Sequence, residues 1–310
     1  MILAIAAALA LSPPATSPSE IAAYRALIEQ DLRLATIGYR LASANAEFCE
    51  RKERNPGWVI HDVAQYQDMK AAFAAFGFTA PVSVAAVVKD GPAGQAGIKA
   101  GDGLEVIGEE SLDWGDEAEG QPTYQRVMIV KDLARQQLAS SPSLSLGLVG
   151  NVEKTIKPAP VCASEFNVDT KNGVDAGADG KIVRVTYGMM AYAGDDNELA
   201  AMVAHEFAHN ILGHRARLDA VKRGRTKAIL ATEIEADRLS VWLMANAGYD
   251  PKAALRFTER YGRKYGLGIF SEGTHLRWKN RVKLMQAEID LMAKTEKQSG
   301  KLPPPLLVSK

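Results

Sequence analysis

The chain has no net charge to speak of: 37 Lys and Arg stand against 37 Asp and Glu in 310 residues. A nucleic-acid binder normally carries a basic face, and attraction to anionic membranes needs the same excess, so neither class is expected. Cysteine is scarce too. Cys49 and Cys162 are far apart and far from the histidines, which argues against a cysteine-based metal site. Long apolar runs are also missing. Met1 to Leu11 is apolar but far short of the ~20 residues a spanning helix needs, and no later stretch reads as a transmembrane helix. That run, followed by Ser12-Pro13-Pro14, fits the core of a signal peptide, with Ala8-Leu9-Ala10 as a small-x-small cleavage pattern. No basic residues precede it, and the competing reading is a frayed tail. Residues 1–12 are therefore expected to be a signal-peptide-like segment, and the protein to be exported, periplasmic or membrane-associated on the periplasmic side. In an exported protein two cysteines are most simply one disulfide, Cys49 to Cys162; in a cytosolic one they would be two buried thiols.

What is present is enough apolar material, 47%, for a real core, and a length that suits two domains. Ser17-Pro18-Ser19-Glu20 starts a helix: Ser17 as cap, Pro18 at the first helical position, Glu20 completing a capping box. Ile21, Tyr24, Ile28 and Leu32 continue it at helical spacing, and Asn55-Pro56-Gly57 marks a boundary. Val82, Val84, Val87 and Val88 then form a β-rich run. The stretch Lys89-Asp90-Gly91-Pro92-Ala93-Gly94-Gln95-Ala96-Gly97-Ile98-Lys99-Ala100-Gly101-Asp102 leads to Leu104-Glu105-Val106-Ile107-Gly108. Strand, Gly-Pro turn, short helix, Gly-Asp turn and strand fit this order. The segment resembles a PDZ domain of the kind found in bacterial proteases, closely over Val84 to Gly108; otherwise it is a generic β-rich domain with glycine turns. The PDZ reading makes Thr123 to Ala139 the second helix and Leu144 to Val149 a closing strand. Further on, Lys181 to Tyr187 reads as a strand, and helices are expected over Leu199–Leu212, Thr232–Ala247, Pro251–Tyr265 and Lys279–Ala293.

His205-Glu206-Phe207-Ala208-His209 carries the chemistry. Two histidines four apart share a helix face and can reach one metal ion. Imidazole and carboxylate ligands suit zinc, which lowers the pKa of a bound water to about 7, so that the Glu206 carboxylate can take its proton as general base. The motif alone is weak, but its helix is apolar nearly all round, from Leu199 to Leu212. Three ionisable groups inside such a helix are costly unless something compensates them, and a metal does. His214 stands one residue too early for a metzincin ligand and reads as structural or exposed. The better third ligand is Glu233, in Glu233-Ile234-Glu235-Ala236-Asp237-Arg238. Asp237 lies one turn on, placed to bond a ligand histidine and fix its tautomer. Glu235 points away from that face.

Together these residues resemble the HtpX and CAAX-prenyl-protease family of zinc metallopeptidases. The resemblance is carried by Glu198 to His209, His214, Glu233 to Arg238, and Ala247-Gly248-Tyr249-Asp250-Pro251. It implies an α+β fold: a mostly helical gluzincin metallopeptidase domain with a small β-sheet, here beside the PDZ-like β-rich domain. It implies Zn2+ held by His205, His209 and Glu233, and a Thr-His-Pro…Arg element matched by Thr274-His275 and Arg281, with Leu276 in place of the proline. His275 would then donate to the oxyanion of the tetrahedral intermediate or cap the open zinc position, and Arg281 would pair with a carboxylate near the site. Many members are membrane-embedded; this chain looks like the soluble periplasmic branch.

The domains expected are an N-terminal helix at 17–54 packing on the peptidase section, the PDZ-like domain at 55–158, the peptidase domain at 159–298 and a flexible tail at 299–310. The PDZ-like segment is then an insertion stapled at its base by Cys49 and Cys162. The function expected is a zinc-dependent metalloendopeptidase acting on unfolded or misassembled envelope proteins. Extended substrate would lie along Lys181 to Tyr187, and a peptide ligand or partner would sit at the PDZ-like domain. The alternative is a PDZ-bearing, chaperone-like binding protein with a latent metal site. An intact Glu206 speaks for the enzyme, and the PDZ-like segment disfavours a hydrolase of small substrates.

Overall fold

The computed structural model describes residues 18–112, 125–266 and 276–308. Helix α1 is described over Pro18–Ala44; Ser17, its expected cap, lies outside the described residues. Leu34, Ile37 and Leu41 recur at three- and four-residue spacing along α1 and are fully buried. The chain then forms β1 (Lys52–Arg54), β2 (Trp58–Asp62), α2 (Met69–Phe76), β3 (Val82–Val87), α3 (Pro92–Gln95), β4 (Leu104–Ile107) and β5 (Glu110–Ser111). After them come α4 (Gln125–Ser140), β6 (Leu144–Leu148), β7 (Val152–Ile156) and β8 (Pro160–Cys162). The last part holds β9 (Glu165–Asp169), β10 (Ala176–Ala178), β11 (Ile182–Thr186), α5 (Tyr187–Tyr192), α6 (Asp196–Ile211) and α7 (His214–Asp219). It ends with α8 (Arg225–Asn246), α9 (Lys252–Tyr265), α10 (Trp278–Met292) and α11 (Pro305–Val308). The architecture is α+β, with small sheets among many helices. No described helix is long and apolar enough to cross a membrane.

The apolar residues sort into two main cores. One collects Ile60, Val84, Leu104, Val130, Leu144 and Ile156 from the β-rich segment. The other joins Leu34 and Leu41 of α1 to Val183, Leu199, Phe207 and Trp242 of the later elements. The chain leaves the second core at β1 and returns at β8. These two strands pair antiparallel, with Lys52 opposite Cys162, and a Cys49–Cys162 disulfide closes the same point across a sequence separation of 113.

In the β-rich segment β2 pairs with β3, and β5-β4-β6-β7 form a four-stranded antiparallel sheet. Helix α2, between β2 and β3, has no counterpart in the sequence reading. Asp68 caps it by accepting from the Ala71 N–H, and Gly77 closes it in the left-handed region. Phe73 and Phe76 pack with Ile28 of α1 around a third small cluster, a contact between distant segments that local spacing does not reveal.

Near the site the sheet order is β10-β11-β9, with β11 antiparallel to β10 and parallel to β9. This corrects the expectation that substrate adds to Lys181–Tyr187: both hydrogen-bonding edges of that strand are occupied, and Tyr187 already belongs to α5. Helix α1 crosses this sheet so closely that a Cβ at Gly38 would meet the Phe166 ring at 2.3 Å, hence a glycine there. Helix α8 begins seven residues earlier than expected, at Arg225; Arg225, Thr226 and Lys227 of its first turn are exposed. The tail reading of 299–310 is corrected over the described residues, 299–308. Leu302 exchanges hydrogen bonds with the Asn246 side chain, and Leu302, Leu306 and Leu307 pack on the second core. Its prolines end an extended approach, and Pro305 opens a helical turn rather than marking disorder.

Candidate active site

Helix α6 is set by its first turn. The Asp195 side chain accepts from the Glu198 N–H, as the capping pattern predicts. The Glu198 carboxylate does not close the box; it accepts from the Gly194 N–H and pairs with Arg260. At its other end Asn210 accepts from Gly180 N–H and donates to Ser164 Oγ, tying α6 to the sheet. Between these anchors the helix is buried, and His205, Glu206 and His209 are its half-buried polar residues.

Packing of α8 against α6 brings Glu233 to the two histidines. His205 Nε2 lies 3.2 Å from Glu233 Oε2 and 3.3 Å from His209 Nε2. His209 Nε2 lies 3.5 Å from Glu233 Oε1. Tetrahedral ligands at zinc bond lengths of about 2.0–2.2 Å stand roughly 3.3–3.6 Å apart, so this triangle has the dimensions of a zinc ligand set. Among the described residues these three form the one cluster able to hold a metal ion.

The charges agree with the geometry. Burial pulls His205 down, but Asp237 and Glu233 outweigh it and raise the ring to about 10. Burial and the neighbouring His205 lower His209 to about 3.

Asp237, one turn along α8 from Glu233, is buried with Oδ1 3.0 Å from His205 Nδ1. Arg281 of α10 grips the same carboxylate, Nε to Oδ2 at 2.8 Å and Nη2 to Oδ1 at 2.7 Å. Burial pushes Asp237 up, but Arg281 and His205 hold it well below the usual carboxylate range. Glu206 goes the other way: burial raises it, with His205 and Arg281 opposing and Glu233 and Asp175 adding to the rise. A carboxylate nearer neutrality is a better general base.

His275 and Thr274 lie outside the described residues. His214 is not exposed: it is 1% accessible and lies directly behind His209. The overlooked signal was Gly213. Its φ of +63° breaks α6 and turns the chain, so that His214, the next residue, returns beneath His209, five residues before it. Glu235 lies off the three-residue cluster, as its helix face predicts, yet it reaches His214.

Residues 152–232 match the profile described as Peptidase family M48. The match includes both histidines and Glu206 and stops one residue short of Glu233. The chain is 31% identical over 155 residues to the Arabidopsis thaliana protein named Mitochondrial metalloendopeptidase OMA1. That similarity covers 39% of this chain and 31% of the relative, so the chain spans about a third of the length of the relative it matches.

Proposed function

We propose that this chain, a member of peptidase family M48, is a zinc-dependent metalloendopeptidase that hydrolyses extended segments of unfolded or misassembled envelope proteins. The observation that carries the reading is the triangle of His205, His209 and Glu233 donors at 3.2, 3.3 and 3.5 Å, with Glu206 next to His205 on the same helix. Zinc, when bound by these three residues, supplies Lewis acidity and lowers the pKa of a water. Glu206 takes a proton from the attacking water as its oxygen bonds to the scissile carbonyl carbon. It then delivers that proton to the departing amine as the C–N bond breaks. Asp237, locked by Arg281, keeps the His205 Nε2 lone pair aimed at the site.

Substrate is placed along β10. Thr186 N donates to Asp175 O and Asp179 N donates to Ile182 O, so by antiparallel alternation Gly177 bonds inward to Arg184. The C=O of Ala176 and the N–H and C=O of Ala178 then face away from β11, and no described strand pairs with them, while the Ala176 N–H donates to Asp175 Oδ1. β10 lies against α6, and Asp175 at its start is close enough to act on Glu206. An extended peptide added there gains main-chain bonds with little demand on its side chains.

The module from 55 to 158 is read as PDZ-like from its order of β3, α3, β4, α4 and β6. Its peptide site would be the cleft of about 490 Å³ lined by Trp58, Ile60, Val127, Lys131, Arg135 and Phe166. An exported, periplasmic location is supported by the Cys49–Cys162 disulfide, since such bonds persist in oxidising compartments. The reading is tested by stripping the protein of metal and titrating zinc back: cleavage of casein should return with about one zinc per chain. Full activity in the metal-free protein would overturn it.

A further inference from the structure

The two histidines of the cluster are supported differently. His205 meets a carboxylate directly. Behind His209 stands a second imidazole, with His214 Nδ1 2.9 Å from His209 Nδ1. On its far side, His214 Nε2 lies 2.9 Å from Glu235 Oε2. Arg217 holds that carboxylate in turn, Nη1 to Oε2 at 2.5 Å and Nη2 to Oε1 at 3.3 Å. His214 is buried, whereas Glu235 is partly and Arg217 half exposed, so the chain of contacts runs from the metal cluster to the surface of α7.

We infer that His214 and Glu235 are positioning residues that set the tautomer of His209. The inference rests on the ligand reading above. If His209 offers Nε2 to a metal, its proton sits on Nδ1, and the only group at that nitrogen's hydrogen-bonding distance among the described residues is His214 Nδ1. His214 must therefore accept there, which places its own proton on Nε2. That N–H then donates to Glu235 Oε2, whose carboxylate Arg217 holds in place. A ring nitrogen's role is set by the bond its partner nitrogen makes, so fixing one end of this series fixes the other. A solvated acidic residue would explain Glu235 paired with Arg217 alone; it does not explain a fully buried histidine between that pair and His209.

The test is the zinc affinity of the full chain, read by competition with a chromophoric chelator, with the melting temperature of the metal-free protein as control for folding. His214→Leu and Glu235→Leu should each weaken zinc binding about 10–100-fold, the usual loss when a ligand's supporting partner goes. His214→Asn, whose amide oxygen can take the place of Nδ1, should recover most of the affinity. In that background Glu235→Leu should cost nothing more, because Glu235 acts only through the ring. Unchanged affinity in His214→Leu with the native melting behaviour overturns the inference while leaving the ligand reading intact. So does a full further loss from Glu235→Leu in the His214→Asn background. A wild-type chain that takes up no zinc removes the ligand reading and this inference with it.

Discussion

Arg281 closes two guanidinium nitrogens on the Asp237 carboxylate, at 2.8 and 2.7 Å, although the two residues are 44 apart in sequence. The pair joins α8 to α10 directly behind His205. Removing Arg281 leaves the Asp237 carboxylate buried with only His205 beside it. Arg281→Met is therefore expected to destabilise the metal-free protein by about 3–5 kcal/mol, and the double variant Asp237→Asn, Arg281→Met to recover much of it. Urea denaturation of the three proteins measures both. A double variant as unstable as the single one would mean the carboxylate is not what suffers.

The β-rich module is tied to the β10-β11-β9 sheet through Glu165 of β9, which accepts from Lys131 Nζ at 3.0 Å and Arg135 Nη2 at 2.9 Å, both on α4. Burial pushes the Glu165 carboxyl up, but Lys131 and Arg135 outweigh it and hold it below the ordinary value of 4.5. A lowered folded pKa contributes stability that is present above about 4.5 and is lost as pH falls through the folded value. Glu165→Gln should thus cost up to about 1 kcal/mol at pH 7, modest because the groups are partly exposed, and the difference from wild type should fade below pH 4.5. Denaturation curves at several pH values decide it; a difference that persists in acid contradicts the ion-pair account.

Proline at an outward-facing edge position removes one donor and leaves the ladder to β11 intact. Ala178→Pro is accordingly expected to lower kcat/KM on an unfolded substrate roughly tenfold, about the worth of one net hydrogen bond, with zinc content unchanged. Arg184→Ala on the neighbouring strand should do far less. Equal losses from both would take substrate off β10.

The Cys49–Cys162 bond closes a long loop, with a sequence separation of 113, for which chain entropy suggests about 4–5 kcal/mol, often less in practice. Reduction, or Cys49→Ser with Cys162→Ser, should lower the melting temperature clearly. Non-reducing peptide mapping of protein isolated from an oxidising compartment should recover the linked pair; two freely alkylatable thiols would count against both the bond and export.

How much of this was legible in the sequence depends on what each feature encodes. His205 and His209 could be read as neighbours because helix geometry brings i and i+4 together and a buried helix rarely carries uncompensated charge; Glu233, 28 residues from His205, was reached through its pairing with Asp237 one turn on and through the resemblance. The helix start at Asp195 was readable because its capping chemistry is local. The strand order β10-β11-β9 was not, since nothing in the residues of β11 says which of its edges are paired. Between the structural and the exposed reading of His214 the residues could not choose, because its burial comes from a chain reversal at Gly213 and from Glu235, 21 residues away, and helical periodicity records neither. Asn246 capturing Leu302 lay hidden for the same reason: proline-rich composition says what a segment cannot form, not what it packs against.

The central claim is that Glu206 moves the proton and the other three residues hold the metal. The most direct measurement compares wild type with Glu206→Gln for zinc per chain and for casein cleavage on the same samples. The account predicts that the variant keeps about one zinc and the native melting behaviour and loses cleavage by several orders of magnitude. Retained cleavage, or a zinc content that falls with the activity, would contradict it.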